Sequence, residues 1–276
     1  MRSFKIAFAW LLIGCSFSDA QIIIKGSDIL GAKMIPRLAG AYQQLHPTIS
    51  FEISSDGTQS GFDALLSGSC EIGMAFRPIS QEELEQFERA NLVLKKQVVG
   101  YSVIAVIVNA KNPVENLSLR QVQQVFTGDL TTWDQVGGKE APIAVFTRNS
   151  SSGIHRDFRK QALDNKPYGK AAQRATAGGG LLTVVSETVN GIGCCGLAYA
   201  SKKGIRKLRI DGVAPSLANV GNYAFSRELY LYSVGEVDLE VEKFIQWVRD
   251  SEQARKVIEK VGFIPFSSKV KREQGE

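Results

Sequence analysis

The chain has 276 residues, 44% of them hydrophobic, with 33 Lys and Arg against 28 Asp and Glu for a net charge of +5. That length makes one large domain or two ordinary ones, and the apolar fraction together with only 8 prolines excludes a disordered or fibrous chain. The basic residues are scattered among acids rather than gathered on one stripe, which argues against a nucleic-acid partner while leaving the surface receptive to small anions.

A charged start (Arg2, Lys5), an apolar run from Ile6 to Gly14 and a stretch of small residues make the pattern of an export signal. Two processing points fit. Ser18 and Ala20 place small side chains before Gln21, whereas Leu12-Ile-Gly-Cys15 has the form of a bacterial lipoprotein box. The first is favoured because strand-like Ile22–Ile24 follows at once, so residues 1–20 are expected to be a signal peptide, with lipid anchoring through Cys15 as the alternative. No other apolar run reaches the roughly 18 to 20 residues that a bilayer span needs.

From residue 21 onward, short β-branched runs alternate with longer amphipathic stretches, the pattern of βαβ units. Strands are predicted at Ile22–Lys25, Ile49–Ile53 and Ile72–Phe76, and helices at Leu30–Leu45 and Gly61–Leu66. Val98–Asn109 is a long β-rich run stopped near Pro113, and it reads as the chain crossing into a second lobe. A helix is then predicted over Leu119–Phe126, a strand over Ile143–Phe146, and helices over Ser152–Ala162 and Leu181–Val189. A second crossing at Leu229–Tyr232 returns the chain, and helices over Leu239–Arg249 and Ser251–Val261 pack back onto the first lobe. The expected fold class is therefore α/β: two lobes with mainly parallel sheets, joined by two hinge crossings around a cleft. Residues 21–102 and 226–266 are assigned to lobe 1, residues 103–225 to lobe 2, and residues 267–276 to a disordered polar tail.

Beyond the leader, the cysteines are Cys70, Cys194 and Cys195, which match no zinc spacing. They read as buried small apolar residues, with a bridge from Cys70 to Cys194 or Cys195 as the alternative.

Three segments share one arrangement of a short strand, a loop of small or hydroxyl residues, and a helix. They are Gly26-Ser27-Asp28, Gly57-Thr58-Gln59-Ser60-Gly61, and Arg148-Asn149-Ser150-Ser151-Ser152-Gly153. A helix start leaves backbone N–H groups without intrahelical partners and carries the positive end of the helix dipole, so an anion is the natural guest. Arg148 can add a bidentate charge-assisted pair. For any single loop, plain N-capping explains the same residues. Three such loops at the carboxyl ends of strands, where open α/β sheets bind ligands, point to a shared site.

With these loops in place, the chain resembles the substrate-binding protein of bacterial phosphate ABC importers. Matching segments include Gly26-Ser27-Asp28, Gly57-Thr-Gln-Ser-Gly61, Val125-Phe-Thr-Gly128, Thr132-Trp133, Val136-Gly-Gly138, Arg148 with Ser152-Gly153, and Gly262-Phe-Ile-Pro265. The resemblance implies an exported, monomeric binding protein of the periplasmic-binding-protein type that hands inorganic phosphate to an inner-membrane ABC permease, with no cofactor. It assigns ligand contacts to Ser27, Asp28, Ile29, Thr58, Phe76, Arg148, Ser152, Gly153 and Ile154. Two of these depart from the family. Phe76 stands where relatives carry Asp or Ser, and Ile154 where they carry Thr; each lost hydrogen bond would cost roughly 1 to 3 kcal/mol. Asp28 is read either as the carboxylate that accepts the proton of hydrogen phosphate or as a helix cap. Arg77 is expected to be a structural charge first, and His155, on the first turn of its helix, a surface residue.

A hydrolase is not expected. The sequence has 2 histidines, no Gly-x-Ser-x-Gly elbow and no His-Glu-x-x-His set, and Ser152 beside His155 lacks an orienting acid. The competing expectation is an oxyanion sensor or adhesin-like homologue in which Phe76 and Ile154 mark the loss of tight phosphate binding.

Overall fold

The computed structural model describes residues 20–266 apart from residues 33, 151, 176 and 177. The expected signal peptide, Cys15 and the polar tail lie outside the described residues. In chain order, the first half comprises β1 (Ala20–Gly26), α1 (Asp28–Gly31), α2 (Met34–Leu45), β2 (Ile49–Ser54), α3 (Thr58–Leu66), β3 (Ile72–Ala75), α4 (Gln81–Arg89) and β4 (Leu94–Asn109). There follow β5 (Asn116–Leu117), α5 (Leu119–Thr127), β6 (Ala144–Arg148), α6 (Gly153–Ala162), β7 (Gln173–Ala175), α7 (Gly178–Glu187) and β8 (Gly191–Gly196). The chain continues through β9 (Ile205–Lys207), β10 (Arg209–Ile210), β11 (Ser226–Val234), α8 (Leu239–Asp250), α9 (Glu252–Lys260) and β12 (Ile264–Pro265).

The single helix predicted over Leu30–Leu45 is two helices, because Ser27 caps the chain early: its Oγ accepts from the N–H groups of Ile29 and Leu30 at 3.2 and 3.4 Å. Helix α4 has no counterpart in the sequence reading. It starts on a capping box in which Ser80 and Glu83 exchange side-chain and backbone bonds.

The strands form one connected 10-stranded sheet in the order β2-β1-β3-β11-β4-β8-β6-β7, with β9 and β12 also on β4. Its flanks are parallel, β1 with β2 and β3 on one side and β6 with β7 and β8 on the other. Its centre is antiparallel, because the two crossings β4 and β11 run in opposite directions and pair with each other. Strand β4 changes partner midway: Val103 lies opposite Ser226 of β11, and Ile104 opposite Gly196 of β8.

Each half has its own core. On one side, Ile22, Ile24, Leu38 and Met74 pack with Phe244 and Val248, so the C-terminal helix α8 covers β1 and β3 as expected. On the other, Val106 and Val108 pack with Phe126, Phe158, Ile192 and Phe225, while Ala105 and Ile107 face Phe146, Leu181 and Val185. Both faces of β4 are covered there, which accounts for an unbroken apolar run in place of alternation. Cys70 lies in the first half, and Cys194 and Cys195 point to opposite faces of β8. All three are free and buried, so the Cys70 bridge is overturned: its partners would lie in a different core. Among the described residues, no helix is long and apolar enough to cross a membrane.

Strand β1 ends at Gly26 with φ of 132°, and a Cβ there would lie 2.2 Å from the carbonyl oxygen of Met74. Gly26→Ala should therefore destabilise the protein by about 3 kcal/mol or more, through backbone strain and a clash with rigid backbone. The urea midpoint measures the loss.

Candidate functional site

In the first lobe, hydrogen bonds lace together the strand ends and the loops that follow them. The Ser27 N–H donates to the Met74 carbonyl at 2.8 Å and the Gly57 N–H to the Gly26 carbonyl at 2.9 Å. The Phe76 N–H donates to Thr58 Oγ1 at 3.2 Å. A Cβ on Gly61 would lie 2.8 Å from the Lys25 carbonyl oxygen, so glycine lets the first turn of α3 rest directly on the end of β1. Ser27 is fully buried, and since its oxygen is engaged by the Ile29 and Leu30 N–H groups, its own proton remains to be donated. Helix α3 is preceded by Gly57, which makes no side-chain cap.

Asp28 is exposed at the first position of α1, and the cap is Ser27. The helix-cap reading of Asp28 is therefore overturned. Ile29 packs its side chain on the first-lobe core, as does Phe76.

In the second lobe, Arg148 ends β6, and its Nε is buried without a hydrogen-bond partner. Ser152 precedes α6 without making a side-chain cap, and its N–H donates to the Asn149 carbonyl at 3.0 Å. Gly153 is exposed, with open space where a Cβ would stand. Ile154 turns its side chain into the second-lobe core, leaving its backbone N–H at the helix start. Ser152 thus leaves the first-turn donors and positive dipole end of α6 without a cap of its own, next to a guanidinium whose inner nitrogen is unsatisfied.

His155 departs from expectation by being buried. Its Nδ1 lies 3.0 Å from Thr147 Oγ1, and its ring stacks on Tyr168 with centroids 4.4 Å apart. Tyr168, 13 residues downstream, also donates its hydroxyl to the His155 carbonyl, and together these contacts draw the ring inward. Burial pushes the His155 pKa down, favouring a neutral ring. The ring is engaged with Thr147 and Tyr168, leaving Ser152 without a base. Arg77 is structural as expected: its Nη1 and Nη2 reach the two carboxylate oxygens of Glu83 at 2.7 and 2.6 Å. The Arg77 guanidinium holds the Glu83 carboxyl down at about 2.

Two charged residues escaped the sequence reading. Asp157, one turn beyond Ile154 on α6, is buried and accepts a hydrogen bond from Gln161 Nε2 at 2.6 Å. Burial pushes its carboxyl up to about 6, Gln161, Arg227 and Lys160 oppose the rise, and the Asp28 charge adds to it. Charges from α1 of one lobe, α6 of the other and Arg227 on the crossing strand β11 therefore act on one another. Arg227 also lines a cavity of about 310 Å³ whose wall includes Phe76, Arg77, Ser226, Glu228 and Tyr230. No local pattern signals either residue, because each acquires its meaning only when the lobes face each other.

With its folded pKa raised to about 6, Asp157 holds a proton more tightly in the folded state than in the unfolded one. Its ionisation leaves stability unaffected below about pH 4 and lowers it progressively as pH rises through 6. Asp157→Asn should therefore raise stability at pH 7.5 by about 1 to 3 kcal/mol and leave it nearly unchanged at pH 4. Urea unfolding of both proteins at the two pH values checks the sign.

A family model described as a PBP superfamily domain matches residues 18–252. The chain is 28% identical over 269 residues to the phosphate-binding protein PstS of Pseudomonas aeruginosa, with 89% of this chain and 83% of the relative covered. PstS of Bacillus subtilis is 25% identical over 253 residues, with 91% of this chain and 82% of the relative covered. The solved structure of an ABC-type phosphate transport receptor from Vibrio cholerae superposes with a TM-score of 0.73 at 25% identity, covering 89% of this chain and 99% of the receptor. The match over residues 18–252 takes in both lobes and the loops between them, and the chain belongs to the PBP superfamily.

Proposed function

We propose that this protein captures inorganic phosphate, or a closely similar tetrahedral oxyanion, in the cleft between its lobes and delivers it to an inner-membrane ABC permease. The observation that carries this reading is the buried, unpartnered Nε of Arg148 beside the uncapped start of α6. A guanidinium held half in the fold with an unsatisfied donor costs free energy unless an acceptor arrives, and an oxyanion is that acceptor. Relatives named as phosphate-binding proteins and a phosphate transport receptor, alike over most of the chain, support the same ligand. The protein is a receptor that releases its cargo unchanged, without catalytic chemistry.

In this reading Ser27 and Thr58 donate hydroxyl protons, Gly153 and Ile154 offer backbone N–H groups, Ser152 adds a hydroxyl, and Arg148 supplies the opposing charge; the Ile29 N–H, given to Ser27 Oγ, is shared with the anion. Asp28 accepts the proton of hydrogen phosphate. Phe76 contributes shape and no hydrogen bond. The lobe boundaries are taken at 102/103 and 225/226, beside the point where β4 exchanges β11 for β8. The lobes close on the anion as a monomer, in an extracytoplasmic compartment reached through the N-terminal signal.

Arg148→Ala should weaken phosphate binding by roughly 2 to 5 kcal/mol, the range for removing one partner of a desolvated charge pair. Titration calorimetry with an unchanged affinity would exclude Arg148 from the site. Asp28→Asn should narrow the preference for phosphate over sulfate, because an amide can donate to sulfate oxygens that a carboxylate repels. The ratio of the two dissociation constants, in wild type and variant, is the measurement. Phe76 favours a second reading, an anion sensor without tight phosphate binding. Thermal shifts with phosphate, sulfate, arsenate and molybdate separate the two, since a ligand at about 100 times its Kd adds about 2.7 kcal/mol of stability.

A further inference from the structure

The cavity behind Phe76 is lined by three charged side chains, and two of them are already committed. Arg77 is held by both carboxylate oxygens of Glu83. Glu228 accepts the Tyr230 hydroxyl at 2.5 Å. Arg227 is different: its Nη1 donates to the adjacent Ser226 carbonyl at 2.8 Å, and it makes no ion pair among the described residues. Next to it, Ser226 is only 8% exposed, and its Oγ is buried without a partner. The buried, unsatisfied Ser226 hydroxyl calls for an acceptor, and the exposed Arg227 guanidinium beside it, held by no ion pair among the described residues, is free to meet the same acceptor.

Phe76 stands in that same wall. It occupies the one position of the candidate anion site where an apolar ring replaces a polar side chain. Arg227 also lies within electrostatic reach of Asp157 on α6, which in turn feels Asp28 on α1.

We propose that Arg227, with the hydroxyl of Ser226, is a ligand-binding residue on the floor of the cleft, supplying the bound oxyanion with the donors that Phe76 cannot. The inference rests on the oxyanion reading above and adds a second guanidinium to Arg148, approaching from the crossing strand instead of from a lobe. A planar guanidinium presents paired N–H groups that match two oxygens of a tetrahedral anion, a geometry that lysine does not reproduce. Asp157, within electrostatic reach of Arg227, limits when ionised the net positive charge that two guanidinium groups would otherwise concentrate in the cleft.

The test is calorimetric titration of inorganic phosphate into the wild type, Arg227→Gln, Arg227→Lys, Arg148→Ala and the double variant Arg227→Gln/Phe76→Ser, with the unliganded Tm of each recorded. Arg227→Gln should bind phosphate about tenfold or more weakly at an unchanged Tm. Adding Phe76→Ser should recover part of that loss by restoring a hydroxyl to the wall. If Arg227→Gln does not fold, Arg227→Lys is read in its place, and a loss of about threefold or more supports the proposal. Affinity unchanged in the folded Arg227 variant while Arg148→Ala loses binding would overturn the role of Arg227 and leave the oxyanion reading intact. A folded wild type that binds none of phosphate, sulfate, arsenate or molybdate would overturn both.

Discussion

Strand β4 is one continuous piece of chain shared by two cores, and that sharing constrains everything else in the molecule. Its N-terminal part hydrogen-bonds to β11 and β12, and its C-terminal part to β8 and β9. The halves cannot part without tearing a buried ladder. The ladder changes partner at Val103 and Ile104, beside Ser226 on the return strand, and this is the pivot that the proposed lobe boundaries imply. A second tie lies to the side, where the Tyr199 hydroxyl donates to the carbonyl of Lys260 at 3.0 Å. Ile264 and Phe266 also pack into the second core, so the proposed hinge is a shared strand pair flanked by the β12 end of the chain, with small changes in backbone torsion carried outward by the lobes. Arg227 sits one residue from that pivot, so a group bound to it would lie where lobe rotation displaces atoms least.

The chemistry of the cleft is an imbalance held in place by packing. On the donor side are helix starts without side-chain caps, hydroxyls whose oxygens are already used, and a guanidinium with a buried unpartnered nitrogen. On the opposing side stand the carboxylates of Asp28 and Asp157, the second of them buried at a cost to stability. A core under selection for stability alone would replace Asp157 with an apolar residue. Its place within electrostatic reach of Arg227 suits the proposed anion site, where charge has to be metered: enough to attract an anion from water, and little enough to let it go.

Much of this was legible in the sequence, and the parts that were not share a cause. The loops at Ser27, Thr58 and Arg148 announced themselves because glycine, hydroxyl residues and a helix onset fall together within a few positions. The long strand was visible because its run of apolar residues has few breakers. Strand β8 was not predicted: Gly191-Ile-Gly-Cys-Cys-Gly196 lacks the β-branched run of the other strands, yet all six residues are buried. Its glycines are there for clearance, since a Cβ on Gly193 would press against Leu181 and Val185 of α7 at 3.2 and 3.3 Å. Helix α4 was missed because it is strongly polar and buries little beyond Glu83 and Phe87, so few apolar residues announce it and the start is marked only by the Ser80 cap. His155, Asp157 and Arg227 depend on partners distant in sequence, which no local pattern encodes.

The three thiols have a consequence of their own. Burial pushes Cys70 up to about 11 and Cys195 up to about 12, and raises Cys194 well above its ordinary value. The nucleophile in disulfide chemistry is the thiolate, so burial, by disfavouring it, shields all three in the folded protein at neutral pH. The unfolded chain has no such protection, and there the adjacent Cys194 and Cys195 regain ordinary acidity and access. Oxidation of these three cysteines should therefore be a record of how often the described fold opens, with redox chemistry acting as a clock on opening events.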